Sequence, residues 1–459
     1  MFEINKVKGK IPVAITIAGS DSGGGAGIQA DLKTFAALGV HGATAITSVT
    51  AQNTCTVRAI EDLKPEIILE QIRVVAEDLG IDAGKTGMLH TEEIIGAVAS
   101  EVAKYDFSLV VDPVMIAKSG APLLKAEAID AFKKHLLPKA TVITPNKFEA
   151  EKLADMKIQN LKDAETAAKK ISELGPKAVV VKGGHLEEED VIDILYFNGK
   201  TKKFSAPRLN VKSTHGTGCS FSAAIAAELA KGKPIPAAVE KAKEIVTLGI
   251  KFGLNVGKGY GPVNPMASLY RESSRYAVLV NVDKAKELIE KSPEVSLLVP
   301  EVGMNIAMAI PYSENVSDIA AIEGRIVKTI GGVRAVGNVK FGCSSHLAKY
   351  ILEMKGHDET KAAAVNIKFS EKTLKILEKH GMLISSYDRS KEPLEIKFVE
   401  GKTIPWGVKE AIERVGKAPD VIYHRGDVGK EPMIVLFGRS AYDLAELVVK
   451  LAWEMKNEK

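Results

Sequence analysis

One segment near the middle of the chain combines residues that suit phosphate chemistry. Residues 213–224, STHGTGCSFSAA, lead from a Gly-rich loop into a run of small residues typical of a helix. The backbone N–H groups at the start of that helix would be those of Gly216, Thr217, Gly218 and Cys219. Unpaired N–H groups at the positive end of a helix bind anions and stabilise a phosphoryl group during transfer. The segment therefore predicts a phosphate site.

Cys219 adds a nucleophilic side chain to this segment. It falls in the first turn of the predicted helix, where the positive end of the helix dipole lowers the pKa of a thiol. Taken alone, a cysteine in such a place is more often a small buried apolar residue. Beside a phosphate site, we expect Cys219 to lie at or next to the reacting groups.

A Gly-rich turn near the N-terminus is a second candidate for ligand binding. Residues 18–31, AGSDSGGGAGIQAD, follow a predicted strand and open a predicted helix. Their glycines let a ligand approach the backbone, but no Gly-Lys-Ser/Thr ending makes them a Walker A loop. Asp31 and the later AQNT (Ala51–Thr54) place polar groups where a core would hold apolar ones. A tight turn without a ligand is the alternative.

Two further motifs contain side chains suited to ATP and its metal. TPNKFEAEKL (Thr144–Leu153) starts a helix after a strand, with Asn146 and Glu149 on one helical face. Glu149 could hold Mg²⁺ directly or through water, or it could cap the helix. Lys182 of VKGGH (Val181–His185) could contact ATP phosphates or be an ordinary surface lysine.

These motifs lie between strands and helices that alternate along residues 11–254. Short apolar runs predict strands at Pro12–Ala18, Ala43–Thr50, Ser108–Val111, Thr141–Ile143 and Ala178–Val181. Amphipathic stretches predict helices at Ile28–Leu38, Pro65–Leu79, Glu92–Lys104, Ala164–Leu174 and Pro236–Phe252. Asn198-Gly199, between two strand-like runs, predicts a hairpin. The alternation predicts an α/β fold with a doubly wound, mostly parallel sheet flanked by helices.

The order of the motifs is that of hydroxymethylpyrimidine/phosphomethylpyrimidine kinases. GSDSGGGAGIQAD, AQNT, TGML, DPVM, TPN-x-x-E, VKGGH and THGTGC all lie within residues 11–265. This part of the chain therefore resembles that family, a branch of the ribokinase superfamily. The resemblance implies a ribokinase-like fold, with ATP and Mg²⁺ as cofactors. It also implies two successive phosphorylations, of 4-amino-5-hydroxymethyl-2-methylpyrimidine to its monophosphate and of the monophosphate to the diphosphate.

The resemblance implies roles for single residues as well. Those that match the family's pyrimidine pocket are Gly19, Asp31, Gln52, Met88 and Val114. Lys182 and the loop Thr214–Cys219, with Thr214, Gly216, Thr217, Gly218 and Cys219, match its phosphate-binding and catalytic machinery. From the TPN-x-x-E segment we expect Asn146 at the ATP phosphates and Glu149 at the metal. Asp31 and Gln52 suit an aminopyrimidine, because a carboxylate and an amide can pair with a ring nitrogen and an amine. Many ribokinase relatives carry Asp where Cys219 falls, so the sequence leaves open whether the Cys219 thiolate is the base.

Three clusters in residues 276–459 suit a diphosphate and its metal. The first, Gly324–Lys349, contains Arg325, Ser344, Ser345 and His346, and a helix is predicted to start near Ser345. The second is the strand-like run AAAVNIKFS with Asn366, and the third is YHRGDVGKEPMIVLFG with His424, Arg425 and Lys430. Each cluster alone could be surface charge beside turn glycines. Together they predict a phosphate site.

These clusters resemble the archaeal-type thiamine-phosphate synthase domain, above all in GCSSHLAK and HRGDVGKEP. The resemblance implies a domain that joins the pyrimidine diphosphate to a thiazole phosphate, releasing pyrophosphate and thiamine monophosphate. Arg325 and His346 match catalytic positions of that family, and both could stabilise the leaving pyrophosphate. Two alternatives stay open. The C-terminal domain could be a non-catalytic thiamine-phosphate sensor, and the kinase could act on alcohols such as pyridoxal.

Gly and Pro residues mark the expected domain boundary. The segment GKGYGPVNP (Gly257–Pro265) reads as a loop. We therefore predict a kinase domain over residues 1–265, a linker over 266–275 and a smaller α/β sandwich over 276–459. The sandwich is expected to begin with strand Ala277–Val280, helix Asp283–Lys291 and strand Leu297–Val299.

Composition limits the partners and the location. The chain of 459 residues has 62 basic and 58 acidic residues, a balance that argues against nucleic acid as a partner. Its three widely spaced cysteines indicate neither a disulfide framework nor a four-ligand zinc site. No apolar targeting segment or membrane span is predicted, so we expect a cytoplasmic enzyme that acts on small molecules. Analogy with superfamily kinases predicts a homodimer.

Overall fold

A computed structural model describes residues 11–457 of the chain, apart from 117–119, 121–122, 126, 187–188, 398, 400 and 428. The N-terminal ten residues, for which no targeting segment is predicted, lie outside the described part. The chain divides into two compact units, Met1–Leu269 and Tyr270–Lys459. Within the described residues, no helix has the length and apolar character that a bilayer crossing requires.

The first unit is built on a sheet that has nine strands among its described residues. These are β1 (Val13–Asp21), β2 (His41–Gln52), β3 (Val57–Asp62), β4 (Ala83–Thr86), β5 (Ser108–Val111), β6 (Val142–Ile143), β7 (Ala178–Val181), β8 (Asp190–Phe197) and β9 (Lys200–Pro207). Their order across the sheet is β3-β2-β1-β4-β5-β6-β7-β8-β9. The strands from β2 to β7 in this order pair in parallel, and β3, β8 and β9 add antiparallel edges. The predicted doubly wound, mostly parallel sheet is confirmed.

Helices cover both faces of this sheet. They are α1 (Gly27–Ala37), α2 (Pro65–Asp78), α3 (Glu92–Val102), α4 (Ala128–Ala131), α5 (Lys147–Ala154), α6 (Leu161–Ser172), α7 (Thr217–Ala230) and α8 (Ile235–Lys251). Successive residues of a strand point to opposite faces. Ile15 and Ile17 of β1 accordingly pack with α2, α3, α5 and α6, whereas Ala14 packs with α1, α7 and α8.

The strand order places a crevice at the centre of the sheet. β1 lies between β2 and β4, so the chain runs outward from β1 in both directions. Open parallel sheets bind ligands at such a switch point, outside the carboxyl ends of the strands. The Gly-rich turn after β1 and the loops after β4, β5 and β7 all open there.

The predicted strands and the hairpin at Asn198-Gly199 are confirmed, with bounds shifted by a few residues. Asn198 and Gly199 have φ values of 50° and 72°, which a two-residue hairpin turn requires. Two described strands of the first unit, β3 and β4, are not predicted from the sequence. β4 has four residues and includes Lys85, so it forms no apolar run, and β3 is a largely solvent-exposed edge strand.

The second unit has a sheet of seven strands and a separate two-stranded ribbon among its described residues. The strands are β10 (Ile306–Ala309), β11 (Ile319–Ile322), β12 (Ile326–Thr329), β13 (Gly332–Ala335), β14 (Val339–Phe341), β15 (Ala363–Lys368), β16 (Ile384–Ser386), β17 (Val421–His424) and β18 (Met433–Gly438). The sheet order is β14-β11-β10-β15-β18-β17-β16, and the ribbon pairs β12 with β13. Neighbouring strands of the seven-stranded sheet pair antiparallel, except that β16 and β17 pair in parallel.

Helices also cover both faces of the second sheet. They are α9 (Ala267–Glu290), α10 (Ser345–His357), α11 (Glu371–Lys379), α12 (Leu394–Lys397), α13 (Thr403–Val415) and α14 (Ala441–Asn457). Ile306 of β10 packs with α9, α11 and α14, and the next residue, Ala307, packs with α10 and α13. The unit therefore has the layered α/β arrangement expected of the sandwich.

The start of the second unit differs from the prediction. The predicted strand Ala277–Val280 is wrong, because α9 runs through it and through most of the proposed linker 266–275. A short apolar run fits either a strand or a buried helix. Helical spacing decides the matter, since the buried face of α9 is formed by Val278, Val282, Ala285 and Ile289. The predicted strand Leu297–Val299 is also wrong, since Pro293–Leu298 forms a 3-10 helix.

Candidate active sites

A cavity of about 920 Å³ opens at the carboxyl ends of the central strands of the first unit. It is lined by all but one of the residues that the sequence predicts for this site: Gly19, Gln52, Met88, Val114, Asn146, Glu149, Lys182, Thr214, Gly216, Thr217, Gly218 and Cys219. Leu209, Val246 and Ile250 add an apolar part to its lining. The fold thus brings together residues from seven segments: the ends of β1 and β2, the loops after β4, β5 and β7, and the starts of α5 and α7.

The N-terminus of α7 faces this cavity. Gly216 precedes the helix with a φ of 80°, and no side chain caps the first turn. A Cβ atom on Gly218 would lie 3.2 Å from Nζ of Lys182, so the ammonium group lies close to the helix start. Free N–H groups, the helix dipole and a lysine therefore favour an anion at this point.

Replacing Gly216 with alanine tests the geometry of this loop. Its Cβ would lie 1.9 Å from the carbonyl oxygen of Gly25, and alanine disfavours the positive φ. We expect Gly216→Ala to lower kinase turnover by up to about 10²-fold, because misplaced phosphate ligands lose much of their effect. The matched control is Gly232→Ala, where φ is 74° and no heavy atom lies within 4 Å of the new Cβ. Equal turnover in the two variants, measured as ADP release, would contradict this role for the loop.

Cys219 lies in the cavity wall, but its thiol is not activated as the sequence suggests. Loss of hydration raises the pKa of Cys219 to about 11, more than the ammonium of Lys85 lowers it. The expected lowering of the thiol pKa by the helix dipole is therefore wrong. Burial outweighs the dipole because the thiolate would lose its water and also lies near the carboxylates of Asp31 and Asp112. At neutral pH Cys219 is a neutral thiol.

Lys182 is a charged group of the cavity rather than an ordinary surface lysine. Its Nζ atom lies 3.1 Å from Oδ1 of Asp112, and 15% of the side chain is exposed. Burial would lower the pKa of Lys182, but the carboxylates of Asp112 and Glu149 outweigh it and raise the pKa. Lys182 therefore remains an ammonium that can meet phosphate.

Asn146 and Glu149 form a capping box at the start of α5. The Glu149 N–H donates to Oδ1 of Asn146 at 3.0 Å, and the Asn146 N–H donates to Oε2 of Glu149 at 2.8 Å. The helix-cap alternative is thus observed, although burial raises the pKa of Glu149 to about 7. No cluster of three or more acidic, His or Cys ligands occurs among the described residues. Mg²⁺ needs only one or two carboxylates beside phosphates and water, so Asp112 and Glu149 fit such an ion.

Asp31 is the predicted substrate residue that does not line the cavity. It is fully buried, and its Oδ2 atom accepts hydrogen bonds from Oγ1 of Thr16 at 2.6 Å and Nζ of Lys85 at 2.8 Å. Lys85 lines the cavity instead. The predicted contact between Asp31 and a pyrimidine is therefore corrected: Asp31 holds Lys85, a residue that none of the sequence motifs includes.

Removal of Lys85 is expected to destabilise the first unit strongly. Lys85→Met leaves the Asp31 carboxylate buried without its counter-ion, a change that costs about 3–5 kcal/mol of unfolding free energy. Asp31→Asn in the same chain should recover part of this loss, since the unpaired charge is gone. Pulse proteolysis in urea measures the effect, with Lys241→Met, at an exposed pair with Glu244, as the control. If Lys85→Met unfolded at the same urea concentration as the wild type, the predicted loss of stability would be contradicted.

Asp21 and His215 join the two Gly-rich loops, and neither was selected from the sequence. Nε2 of His215 lies 3.0 Å from Oδ2 of Asp21 and 3.3 Å from Nε2 of Gln52. The Asp21 carboxylate also accepts backbone N–H groups of Gly23, Gly25 and Ala26. Although burial opposes it, the bond to His215 helps to lower the pKa of Asp21. Both residues stand inside the motifs, but their pairing across 194 positions leaves no sequence signal.

His346 lies in the first turn of α10 in the second unit. Its ring packs edge-on against Tyr350, with centroids 5.3 Å apart. Burial lowers the pKa of His346 to about 4, with further lowering by the positive charges of Arg325, Arg389, Lys349 and Lys430. His346 is therefore neutral at pH 7 and lies within the field of several cations.

Arg325 immediately precedes β12, and the two serines lie at the start of α10. Arg325 has a φ of 85°, which residues other than glycine seldom adopt, and its guanidinium donates to the carbonyl of Val302. Ser344 is the N-cap residue of α10 and Ser345 its first residue, and no side chain caps this helix. The start of α10 therefore leaves backbone donors for an anion.

Of the remaining predicted residues of this site, His424 and Asn366 are buried, whereas Arg425 is exposed. His424 is 4% exposed, and its pKa is lowered to about 4 by burial and by Arg389. Asn366 is buried, accepting from the N–H of Asn305 at 2.7 Å and donating to the carbonyl of Gly303 at 3.0 Å.

Arg425 is exposed and pairs with Glu371 at 2.7 Å, over the ring of Phe369. Asn366 is thus engaged within its own unit, and Arg425 is paired with α11 at the surface. The charge of Lys430 acts on His346. Phosphate contacts of these three residues stay predictions.

Comparison with known proteins identifies relatives of both units. Residues 21–264 match the family model described as phosphomethylpyrimidine kinase, and residues 281–450 match the model described as thiamine-phosphate synthase ThiN. The bifunctional thiamine biosynthesis protein ThiDN of Methanocaldococcus jannaschii is 35% identical over 439 residues, which cover 95% of this chain and 97% of that protein. The hydroxymethylpyrimidine/phosphomethylpyrimidine kinase of Bacillus subtilis is 48% identical and aligns with 55% of this chain and 94% of its own.

Solved structures resemble the first part of the chain. An ADP complex of Bacillus subtilis pyridoxal kinase is 40% identical with a TM-score of 0.54, covering 56% of this chain and 99% of that one. The Staphylococcus aureus pyridoxal kinase in complex with ADP is 37% identical with a TM-score of 0.54, covering 57% and 95%. The ribokinase-like fold predicted for the first unit is confirmed by these neighbours.

Proposed function

The chain belongs to the phosphomethylpyrimidine kinase family and carries a C-terminal thiamine-phosphate synthase domain, and from this membership we propose how its two units act in thiamine biosynthesis. The first unit phosphorylates the aminopyrimidine alcohol twice with ATP. The second joins the resulting diphosphate to thiazole phosphate and releases pyrophosphate. One observation carries the kinase assignment: the uncapped start of α7, Lys182 and Cys219 share a cavity with Gln52.

The pyrimidine is recognised at the end of the cavity formed by Gly19, Gln52, Met88 and Val114. With Asp31 directed at Lys85, the Gln52 amide is the polar group of this set that can pair with the ring nitrogen and amine. Oε1 of Gln52 lies 3.2 Å from Oγ1 of Thr50, which can donate to it, and its Nε2 lies 3.3 Å from the His215 ring nitrogen that binds Asp21. Met88 and Val114 supply apolar surface for the ring.

The phosphates lie where α7 begins. The N–H groups of the Gly216–Cys219 turn and the Lys182 ammonium neutralise charge on the phosphoryl group, which passes from ATP to the substrate oxygen. In phosphoryl transfer such positioning and charge neutralisation supply most of the rate increase. Related kinases have been solved with ADP and AMP-PCP, which supports ATP as the donor.

Mg²⁺ is the expected metal, and the Asp112 and Glu149 carboxylates would hold it beside the phosphates. When bound, it supplies charge neutralisation on the phosphate oxygens. Asn146 keeps Glu149 in place through the capping box. Homodimer formation and a cytoplasmic location stay predictions of the sequence.

A substrate panel tests the kinase assignment. The full chain is incubated with ATP, Mg²⁺ and either the aminopyrimidine alcohol or pyridoxal, and products are identified by mass. We expect the mono- and diphosphate of the pyrimidine. Phosphorylation of pyridoxal alone would overturn the assignment in favour of the pyridoxal alternative.

A further inference from the structure

A row of four rings links three elements of the second unit. His346 packs on Tyr350 at 5.3 Å, and Tyr387 packs on His424 at the same centroid distance. The hydroxyl oxygens of Tyr350 and Tyr387 lie 2.8 Å apart. Both tyrosines are buried, at 0% and 3% exposure. The tyrosine pair therefore fixes α10, the end of β16 and the end of β17 relative to one another.

His424, 4% exposed, presents a hydrogen-bond donor at this row. Its Nδ1 atom accepts the backbone N–H of Gly426 at 3.2 Å, so the proton of the neutral ring lies on Nε2. Burial lowers the pKa of His424 to about 4, which keeps the ring neutral. No described residue accepts a hydrogen bond from Nε2. An N–H group that no described residue accepts is one that a ligand can satisfy.

Arg389 adds an unsatisfied cationic donor. It lies two residues after Tyr387, on the 3-10 turn Arg389–Lys391, and its positive charge opposes the rise that burial causes in the pKa of Tyr387. Its Nε atom is buried, and among the described residues it has no hydrogen-bond partner. Its charge acts on the rings of both His346 and His424.

The surrounding charge favours an anion. Arg325, Lys349 and Lys430 act on His346 together with Arg389, which makes four cations. A buried carboxylate, that of Glu392, also acts on Tyr387. The four cations around His346 favour a phosphate group.

We propose that Arg389 and the Nε2–H group of His424 bind a phosphate group of the synthase substrates, with Tyr387 holding Arg389 in place. This inference rests on the proposed synthase function and names residues for it. Arg389 takes the role expected of Arg425, which pairs with Glu371 instead. A planar guanidinium suits two phosphate oxygens at once. The phosphate belongs either to the pyrimidine diphosphate or to the thiazole phosphate.

The test measures binding and coupling in the full chain with Arg389→Gln, Tyr387→Phe and the control Arg414→Gln. Arg414 is an exposed arginine that contacts Ser386, next to Tyr387. Calorimetric titration uses inorganic pyrophosphate and inorganic phosphate as probes. We expect Arg389→Gln to weaken binding of at least one probe by about 10- to 100-fold. Tyr387→Phe should raise KM with a smaller effect on kcat, and Arg414→Gln should change neither.

Coupling kinetics then identify the source of the phosphate. A raised KM for the pyrimidine diphosphate assigns the site to that substrate, and a raised KM for thiazole phosphate assigns it to the other. Unchanged probe affinity and unchanged KM values in Arg389→Gln would overturn the inference. If the wild-type chain couples nothing, the synthase function fails, while the titrations still decide whether Arg389 binds phosphate. Arg389→Lys replaces Arg389→Gln if the latter does not fold, and it should still weaken binding because lysine lacks the guanidinium fork.

Discussion

Replacing Cys219 with alanine is expected to lower kinase turnover by about 10³-fold while leaving ATP affinity largely unchanged. The N–H groups of α7 and the Lys182 ammonium, which bind phosphate, remain in the variant. What is lost is the sulfur that we propose lies beside the reacting oxygen. Turnover is measured as ADP release, and affinity by calorimetry with a non-hydrolysable ATP analogue.

The pH profile shows whether the thiolate is the base. The pKa of Cys219 is raised to about 11, so the thiolate fraction grows as pH rises through the neutral range. If the thiolate removes the hydroxyl proton, kcat of the wild type climbs with pH, and this climb is absent in Cys219→Ala. Cys219→Asp, which restores an acid–base group, should recover part of the turnover. Cys343→Ala, in the second unit, is the control. Normal turnover in Cys219→Ala would refute a base role.

Replacing His346 with glutamine is expected to lower the coupling rate by about 10³-fold without changing the kinase. The neutral ring lies among four cations, where pyrophosphate would leave. Since burial and the cations hold the pKa of His346 at about 4, this residue should add no pH dependence to coupling between about pH 5 and 8. Thiamine monophosphate formation from supplied diphosphate and thiazole phosphate is the measurement.

The same helix offers a matched control for His346. His357 lies at the other end of α10 and is 41% exposed, with Glu353 at 3.9 Å. His357→Gln should couple at the wild-type rate. A His346→Gln protein that couples as fast as His357→Gln would remove His346 from the reaction and leave the sensor alternative standing.

Much of the first unit could be predicted because its strands are apolar and its turns carry Gly, Pro and Asn. The bounds predicted for β5 and β7 agree with the structure at both ends. The sequence does not reveal β4, because it contains a lysine, Lys85, whose burial depends on an ion pair with Asp31, far away in the chain. In the second unit, the apolar run 277–280 suited a strand or a helix equally. Its packing in α9 decided between them.

The candidate site was predictable where the chemistry is local. The phosphate loop before α7 is a run of adjacent backbone groups, so its residues could be chosen from one segment. Asp31 was misassigned because a carboxylate that suits a pyrimidine also suits a buried lysine. The thiol pKa of Cys219 was misjudged since burial, which the sequence does not show, outweighs the helix dipole. Arg389 belongs to none of the sequence motifs. Only the folded structure brings its charge close to Tyr387 and His424.

One reaction mixture tests the whole account: the purified chain with the aminopyrimidine alcohol, thiazole phosphate, ATP and Mg²⁺, followed by mass spectrometry. We expect thiamine monophosphate, with the pyrimidine mono- and diphosphate as intermediates on the way. Accumulation of the diphosphate without thiamine monophosphate would contradict the synthase assignment. Absence of any phosphorylated pyrimidine would contradict the kinase, and with it the role of the cavity at the start of α7.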